Sequence, residues 1–314
     1  MTQETGTGKY ERLLERCREL APVTTAVAHP CDAAALTGAL DAARMGFIEP
    51  ILVGPSARIA EVARENGIDL GTTPIVDVPH SHASAARAVQ LVREGKAGLL
   101  MKGSLHTDEL LGAVVARETG LRTGRRLSHV FIMDVPTYHK ALLVTDAAIN
   151  IAPTLEEKAD ICQNAIDLAI SLGVERPKVA VLAAVETVSS KMSATLDAAA
   201  LCKMAERGQI RGGILDGPLA FDNAISLEAA QIKGILSPVA GDPDILLVPD
   251  LEAGNILAKL LSFLARADSA GLALGARVPI ILTSRADSLR ARVASCAIAR
   301  LAAYARHQSA RAPG

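Results

Sequence analysis

Short apolar runs alternate with helical patterns almost from end to end of this 314-residue chain. The segments TTAVAHP, PILVG, TPIVDV, AGLLMKG, SHVFIM, ALLVTD, PKVAVLAAV, GGILDG, DILLVPD and VPIILTS are brief and aliphatic, and they lack strict polar alternation. That is the pattern of strands covered on both faces. Stretches with apolar residues every three or four positions separate most of them. Parallel neighbours need a crossover, usually a helix, so the alternation predicts an α/β protein with a largely parallel sheet. Two helix starts are marked. Thr154 followed by Glu157 forms a capping box before the stripe Ile161, Ala165, Leu168 and Leu172, closed by Gly173. Ser226 opens a helix carrying Ala229, Ile232 and Leu236, stopped by Pro238.

Half the residues are hydrophobic, enough for one large core or two ordinary ones, and two linked α/β lobes are expected. Charge is balanced, 33 basic against 34 acidic residues, which leaves no electrostatic footprint for nucleic acid or an anionic membrane. With four phenylalanines, three tyrosines and no tryptophan there is little to stack on bases. Cys17, Cys31, Cys162, Cys202 and Cys296 are scattered and never form a C-x-x-C pair, so they read as reduced, mostly buried thiols of a cytoplasmic protein. The first twenty residues show no signal-peptide pattern, and no 18-residue apolar run exists for a membrane span. No H-E-x-x-H or comparable spacing occurs, so no metal is expected.

The segment VPIILTSRADS, residues 278 to 288, is where this pattern turns toward chemistry. A strand ends in Ser284, Arg285, Asp287 and Ser288, and a helix follows with the stripe Leu289, Val293, Ala297, Leu301 and Tyr304. In open α/β sheets, ligands collect at strand C-termini, where free backbone N–H groups and the helix dipole favour anions. The competing reading is that Asp287 or Ser288 caps the helix and Arg285 is a surface charge. Similar ends recur. Lys102-Gly103-Ser104 follows GLLM, Asp216-Gly217-Pro218 follows GGIL, and Pro249-Asp250 follows DILLV before Gly254-Asn255 at a helix start. Each has a plainer reading too: Gly217-Pro218 as a turn, Gly254 as a backbone requirement, Lys102 as a snorkelling surface lysine. Several such ends in succession point to a cleft.

The segments MKGSLHT, TDAAINIAPTLEEKADICQNAIDLA, AAVETVSSKMSATLDAAALCKMAERGQIRGGILDGPLAFDNAIS, SPVAGDPDILLVPDLEAGNILAK and GARVPIILTSRADS resemble the phosphate acetyltransferase and phosphate butyryltransferase family from about residue 20 onward. The likeness is nearer the butyryl branch and the phosphate acyltransferase half of proteins that also carry an enoyl-CoA hydratase domain. It implies a fold similar to isocitrate and isopropylmalate dehydrogenases, with two three-layer α/β lobes around a cleft. Residues 1–126 and 276–314 would form the first lobe and 127–275 the second. It implies reversible transfer of a short acyl group between coenzyme A and orthophosphate by direct thiolate attack in a ternary complex. CoA and phosphate would be substrates, no cofactor would be held permanently, and the chain would form a homodimer or larger oligomer.

The residue types suit that chemistry. The CoA thiol must lose its proton to become a nucleophile, which calls for a base. Phosphate calls for a cationic fork and N–H donors, and the tetrahedral oxyanion for a donor aimed at it. The resemblance assigns catalysis to Ser284, Arg285 and Asp287, with Ser284 facing the oxyanion and Arg285 the phosphate. The acidic residue of the acetyl branch lies seven positions after the serine, where this chain has Ala291. The base is therefore Asp287, or alternatively Glu186 or Asp216. Lys102, Gly103, His106 and Thr107 are candidates for phosphate, with Lys102 standing where the acetyl branch has serine. Glu186, Asp216, Gly217, Pro218, Asp250, Gly254 and Asn255 are further candidates for phosphate or CoA. Arg87 is another possible cation, and His80, His82, His129 and His139 carry no assigned role. Ala183 and Ala184 are small enough to admit acetyl through butyryl. A CoA-thioester-binding protein with altered catalysis is the alternative, and a decarboxylating dehydrogenase of the same fold ranks lower because no aspartate cluster for a divalent ion is evident.

Overall fold

In a computed structural model of the chain, residues 8–284 and 287–309 are described. The chain divides into two compact units, one of Met1–Lys9 and Arg126–Ser269, the other of Tyr10–Arg125 and Ala270–Gly314.

The N-terminal part contains α1 (Lys9–Arg18), β1 (Val23–Ala28), α2 (Ala33–Arg44), β2 (Ile48–Gly54), α3 (Ser56–Glu65), β3 (Ile75–Asp77), α4 (Ser81–Arg93), β4 (Leu99–Lys102) and α5 (Thr107–Val115). Helices start where a side chain satisfies a free N–H: Asp32 accepts from Ala35 N at 2.7 Å, and His80 Nδ1 from Ala83 N at 3.2 Å. Strand β1 pairs in parallel with β2 on one side and β4 on the other, and β2 pairs with β3. The chain thus moves outward from β1 to β3 and then returns past β1 to β4. Right-handed crossovers then require α2 and α3 on one face and α4 on the other. In agreement, α2 packs beside α3, and α4 packs on α5 and β1. The reversal of direction falls between β1 and β4.

The middle of the chain builds β5 (Ser128–Asp134), β6 (Leu142–Thr145), α6 (Leu155–Ser171), β7 (Lys178–Leu182), α7 (Ser193–Glu206), β8 (Ile214–Leu219), α8 (Phe221–Ile225), α9 (Leu227–Ile232), β9 (Ile245–Leu247) and α10 (Leu251–Phe263). Its strands lie in the order β5-β6-β9-β7-β8, all parallel except β5 with β6. Met133, Leu142, Val144, Leu182, Leu219, Leu246 and Leu261 belong to its core. The capping box at Thr154 is present on both sides, as the sequence predicts. Two elements differ from expectation. Helix α9 does start at Ser226, but it ends at Ile232, because Gly234 takes φ +67° and Leu236 lies fully exposed beyond it. Strand β8 runs through Gly217-Pro218 instead of turning there. Proline is tolerated because β8 is an edge strand and its register with β7 shifts at that point.

The chain then adds β10 (Asp268–Leu274), β11 (Ile280–Ile281) and α11 (Leu289–Ser309). Strand β11 lies parallel to β4 and antiparallel to β10, so the first part of the chain gains two strands in the order β3-β2-β1-β4-β11-β10. Helix α11 is not the one-sided stripe expected: Ala291 through Ala303 are all buried, whereas Leu289 and Tyr304, on either side of that run, are exposed. A helix covered all round is part of a core. Its buried arginines have partners elsewhere in the unit. Arg300 donates to Ala21 O at 3.0 Å and Gly46 O at 2.9 Å and lies 5.9 Å from the Phe47 ring centroid. Gly38 of α2 admits Arg292 of α11, whose Cδ would stand 2.9 Å from a methyl group there.

Candidate active site

Three adjacent parallel strands, β1, β4 and β11, end side by side. Ala28 is the register partner of Lys102, and Ile281 that of Met101. His29, Lys102-Gly103-Ser104 and Thr283-Ser284 therefore occupy one sheet edge, at the point where the strand order reverses. In doubly wound folds, such switch points open a crevice for ligands.

Gly103 and Ser104 tie the end of β4 to the end of β1. Gly103 N donates to Ala28 O at 2.8 Å, and Ser104 donates to His29 O twice, from N and from Oγ, each at 2.8 Å. A Cβ on Gly103 would lie 2.4 Å from Ala28 O and 2.5 Å from His29 O, so only glycine fits this close approach. Lys102 is not the surface lysine of the plainer reading. It is 5% exposed, and Nζ reaches Gly103 O at 3.3 Å. A buried cation on this edge is suited to an anion. Thr107 begins α5 and is half-buried. His106 takes the N-cap position, yet its exposed side chain makes no cap bond.

On β11's side, Ser284 is exposed. Its N–H donates to Asp287 Oδ2 at 2.7 Å, and Asp287 N donates to Ser284 O at 3.2 Å. Ser288, not Asp287, receives the helix N–H, from Ala291 at 3.1 Å. Asp287 thus has one carboxylate oxygen fixed on the serine turn. Arg285 lies outside the described residues. A residue that sequence reasoning missed holds this turn from below. Arg292, buried in α11, donates to Thr283 Oγ1 at 3.1 Å and to Ser284 O at 2.8 Å.

His29, which the sequence places only at the tail of the strand TTAVAHP, is a further residue of this edge. It is half-buried with φ +56°, and its Nδ1 lies 3.1 Å from Ser84 Oγ and 3.7 Å from Cys31 Sγ. Burial is the largest influence on its pKa and lowers it; His80 lowers it further, while Glu109 and Asp32 oppose them. Burial also pushes the Cys31 thiol up to about 11.

In the other unit the candidates form separate groups. Asp250 caps α10, accepting from Ala253 N at 2.9 Å, and Gly254 and Asn255 press on the end of β6. A methyl group on Gly254 would meet Asp146 O at 2.6 Å, and Asn255 Nδ2 donates to Ala147 O at 3.1 Å. The plainer reading of Gly254 as a backbone requirement describes this contact. Behind it sits Asp146, 3% exposed and missed from sequence. Its carboxylate accepts from Ala148 N, Ile149 N and Asn150 N, and from Asn150 Nδ2 at 2.5 Å. Glu186, in the loop after β7, accepts from Asn223 Nδ2 at 3.3 Å and Lys233 Nζ at 3.2 Å. Among the described residues the Oδ1 atom of fully buried Asn223 has no hydrogen-bond partner. Asp216 lies within β8, paired in register with Ala180, and accepts from Gly217 N at 2.9 Å. Neither Gly217 nor Pro218 forms a turn. A Cβ on Gly217 would lie 2.7 Å from Val181 O. Ala183 is buried and Ala184 exposed at the end of β7.

Arg87 pairs with Glu94, which makes it a surface ion pair. Among the described residues no group of three or more histidine, cysteine, aspartate or glutamate side chains is placed to hold a metal. No described helix is long and apolar enough to cross a membrane. All five cysteines are free.

Comparison with known proteins adds an independent line. The sequence family described as "Phosphate acetyl/butaryl transferase" matches residues 80–300. A phosphate acetyltransferase of Rhizobium meliloti is 65% identical over 298 residues, 95% of this chain and 94% of that protein. A phosphate butyryltransferase of Clostridium acetobutylicum is 42% identical over 92% of this chain and 95% of its own length. The crystal structure of a branched-chain phosphotransacylase from Enterococcus faecalis V583 superposes with a TM-score of 0.78 at 31% identity, covering 90% of this chain and 99% of that one.

Proposed function

Because the chain belongs to the phosphate acetyl/butyryl transferase family, we propose that it transfers a short acyl group, acetyl to butyryl, reversibly between coenzyme A and orthophosphate. The CoA thiolate attacks the acyl phosphate carbonyl directly in a ternary complex; the C–S bond forms, the C–O bond to phosphate breaks, and phosphate departs. The observation that carries this reading is the edge at the β1/β4 reversal, where buried Lys102 and the Ser284 turn lie on adjacent strand ends. Lys102 supplies positive charge to phosphate as a point cation, without the bidentate geometry of an arginine. Backbone N–H groups at the start of α5, with Thr107 and His106, add donors. In this reading Ser284 donates to the oxyanion and Arg285 supplies charge to the phosphate. Asp250, Gly254 and Asn255 at the start of α10, with Glu186 and the Asp216-Gly217-Pro218 segment, contribute to holding CoA or phosphate.

The likeness to isocitrate and isopropylmalate dehydrogenases belongs to the same reading, as does the absence of a permanently bound cofactor. Five free, mostly buried thiols favour a cytoplasmic setting. A homodimer or larger homo-oligomer is favoured by α10, where Ile256, Leu260 and Phe263 recur at helical spacing and, with Leu264 just past its end, are all exposed.

The test is thiol release from acetyl-, propionyl- and butyryl-CoA with and without orthophosphate. Release that requires phosphate and ranks the acyl chains is expected. CoA binding without phosphate-dependent release would instead favour a CoA-thioester-binding protein with altered catalysis, a reading to which the engaged carboxylate of Asp287 lends some support.

A further inference from the structure

Ser84 Oγ is an acceptor for His29 because its own proton is already used. Ser84 Oγ donates to His80 O at 3.0 Å, so the contact of 3.1 Å with His29 Nδ1 is a hydrogen bond from the ring N–H to the serine oxygen. A neutral imidazole protonated on Nδ1 carries a bare lone pair on Nε2. Among the described residues Nε2 has no hydrogen-bond partner. The backbone of His29 is equally fixed. Its N–H donates to Val53 O at 2.7 Å, and its carbonyl accepts from Ser104 and from Cys31 N. The ring is thus an oriented base, half-buried, on the strand end next to Lys102 and Gly103.

We propose that His29 is the proton acceptor for the CoA thiol in this site. The inference rests on the acyltransfer reading above and answers what it leaves open, since the nearest carboxylate, Asp287, has one oxygen committed to Ser284 N. In the step that forms acyl-CoA, Nε2 takes the S–H proton as sulfur's electron pair forms the C–S bond. The C–O bond to phosphate breaks with its electron pair leaving on phosphate, and the imidazolium then returns its proton to phosphate or water. In reverse, the imidazolium protonates the departing thiolate. The groups facing the ring are the Cys31 thiol, 3.7 Å from Nδ1; Glu109 and Asp32, which favour its protonated form; and His80, which with burial opposes it. His82 stands beyond, 3.8 Å from Glu109. Burial dominates, so the ring is neutral and able to accept a proton at pH 7.

The test uses His29→Asn and His29→Gly in the full chain. Asparagine and glycine both accept a left-handed backbone, and the asparagine amide can keep a donor to Ser84 while offering no base. The expected result for His29→Asn is a fall in kcat for acyl-CoA formation of about 100-fold or more with little change in KM for CoA. The wild-type rate is expected to decline on the acid side, below the ordinary histidine range, and that limb should vanish in the variant. In His29→Gly, added imidazole should restore part of the rate. A His29→Asn rate within about twofold of wild type would overturn the proposal, as would a reduced rate with the wild-type pH profile intact and no imidazole rescue, which would mark a structural role. Wild-type protein that releases no thiol under any condition would instead overturn the acyltransfer reading and, with it, this inference.

Discussion

Gly103 and His29 meet backbone to backbone: a methyl group on Gly103 would stand 2.5 Å from the carbonyl oxygen of His29. That oxygen also receives both donors of Ser104, so the ends of β1 and β4 are held together at their closest point. Gly103→Ala must push them apart. The expected cost is about 1–3 kcal/mol of stability, as for other overpacked sites. Activity should fall further, about 100-fold, because a displacement of order 1 Å at a reacting edge costs that much. Urea unfolding and initial rates on the same preparation check both. Wild-type turnover in Gly103→Ala would show that this edge does not place reacting groups.

Lys102 separates charge from packing. Its burial at the strand end costs stability, which a methionine of similar length recovers in part. Lys102→Met should therefore unfold at the same or a slightly higher urea concentration, while KM for orthophosphate rises about tenfold or more, a loss of about 1.4 kcal/mol. Lys102→Arg should recover little of this, since a planar guanidinium does not fit the space of a buried ammonium. An unchanged KM for phosphate in Lys102→Met would remove Lys102 from the phosphate site.

These residues also show what a sequence can and cannot disclose. The runs that became β1, β2, β4, β6, β7 and β9 were readable because strands covered on both faces need uninterrupted apolar residues. Strand β10, built on SAGLAL, escaped notice because alanine and glycine carry no strand signal of their own. The end of strand β8 is not legible in the sequence because Gly-Pro usually turns, whereas here an edge position and a register shift accommodate it. At the site, the strand-end positions of Lys102 and Ser284 followed from local pattern. His29 did not, because its interest depends on β4 returning to lie beside β1, a pairing of residues more than seventy positions apart. Arg292 and Asp146 are hidden for a different reason: their partners lie within nine positions of them, but a single polar residue in an apolar run gives no sign of which backbone groups it will meet.

Asp146 anchors the loop that follows β6. Arg126 Nε donates to Asn150 Oδ1 at 2.7 Å, which turns the asparagine's Nδ2 toward Leu127 O and Asp146 Oδ2. Two donors of Asn150, N and Nδ2, therefore face Oδ2. In Asp146→Asn either the new amide nitrogen opposes those donors or it opposes the N–H groups of Ala148 and Ile149. One buried set is left unpaired in either orientation. The expected loss is about 2–3 kcal/mol, read as a lower urea midpoint at unchanged slope. The Gly254-Asn255 corner leans on Ala147 of the same loop, so KM for CoA or phosphate should rise in the folded variant. A midpoint equal to wild type would mean the nest is not a source of stability.

Asp242 gives the fold a pH dependence of defined sign. Burial alone would raise its pKa, but hydrogen bonds and charge from Lys178, at 2.6 Å, and Lys140, at 2.9 Å, outweigh it and bring the carboxyl down to about 2. The unfolded chain binds this proton near the ordinary aspartate value of about 3.9. The unfolded state thus takes up the proton first on acidification, and the stabilisation is fully present above about pH 5 and fades as the pH falls toward 2. The carboxylate is 41% exposed, so solvent screening limits its worth to about 1 kcal/mol or less. Asp242→Asn should accordingly be less stable than wild type by that amount at pH 6 to 7, with the gap shrinking between about pH 5 and pH 3. Urea unfolding across that range measures it. A gap that stays constant would assign the effect to lost packing or hydrogen bonding instead of charge.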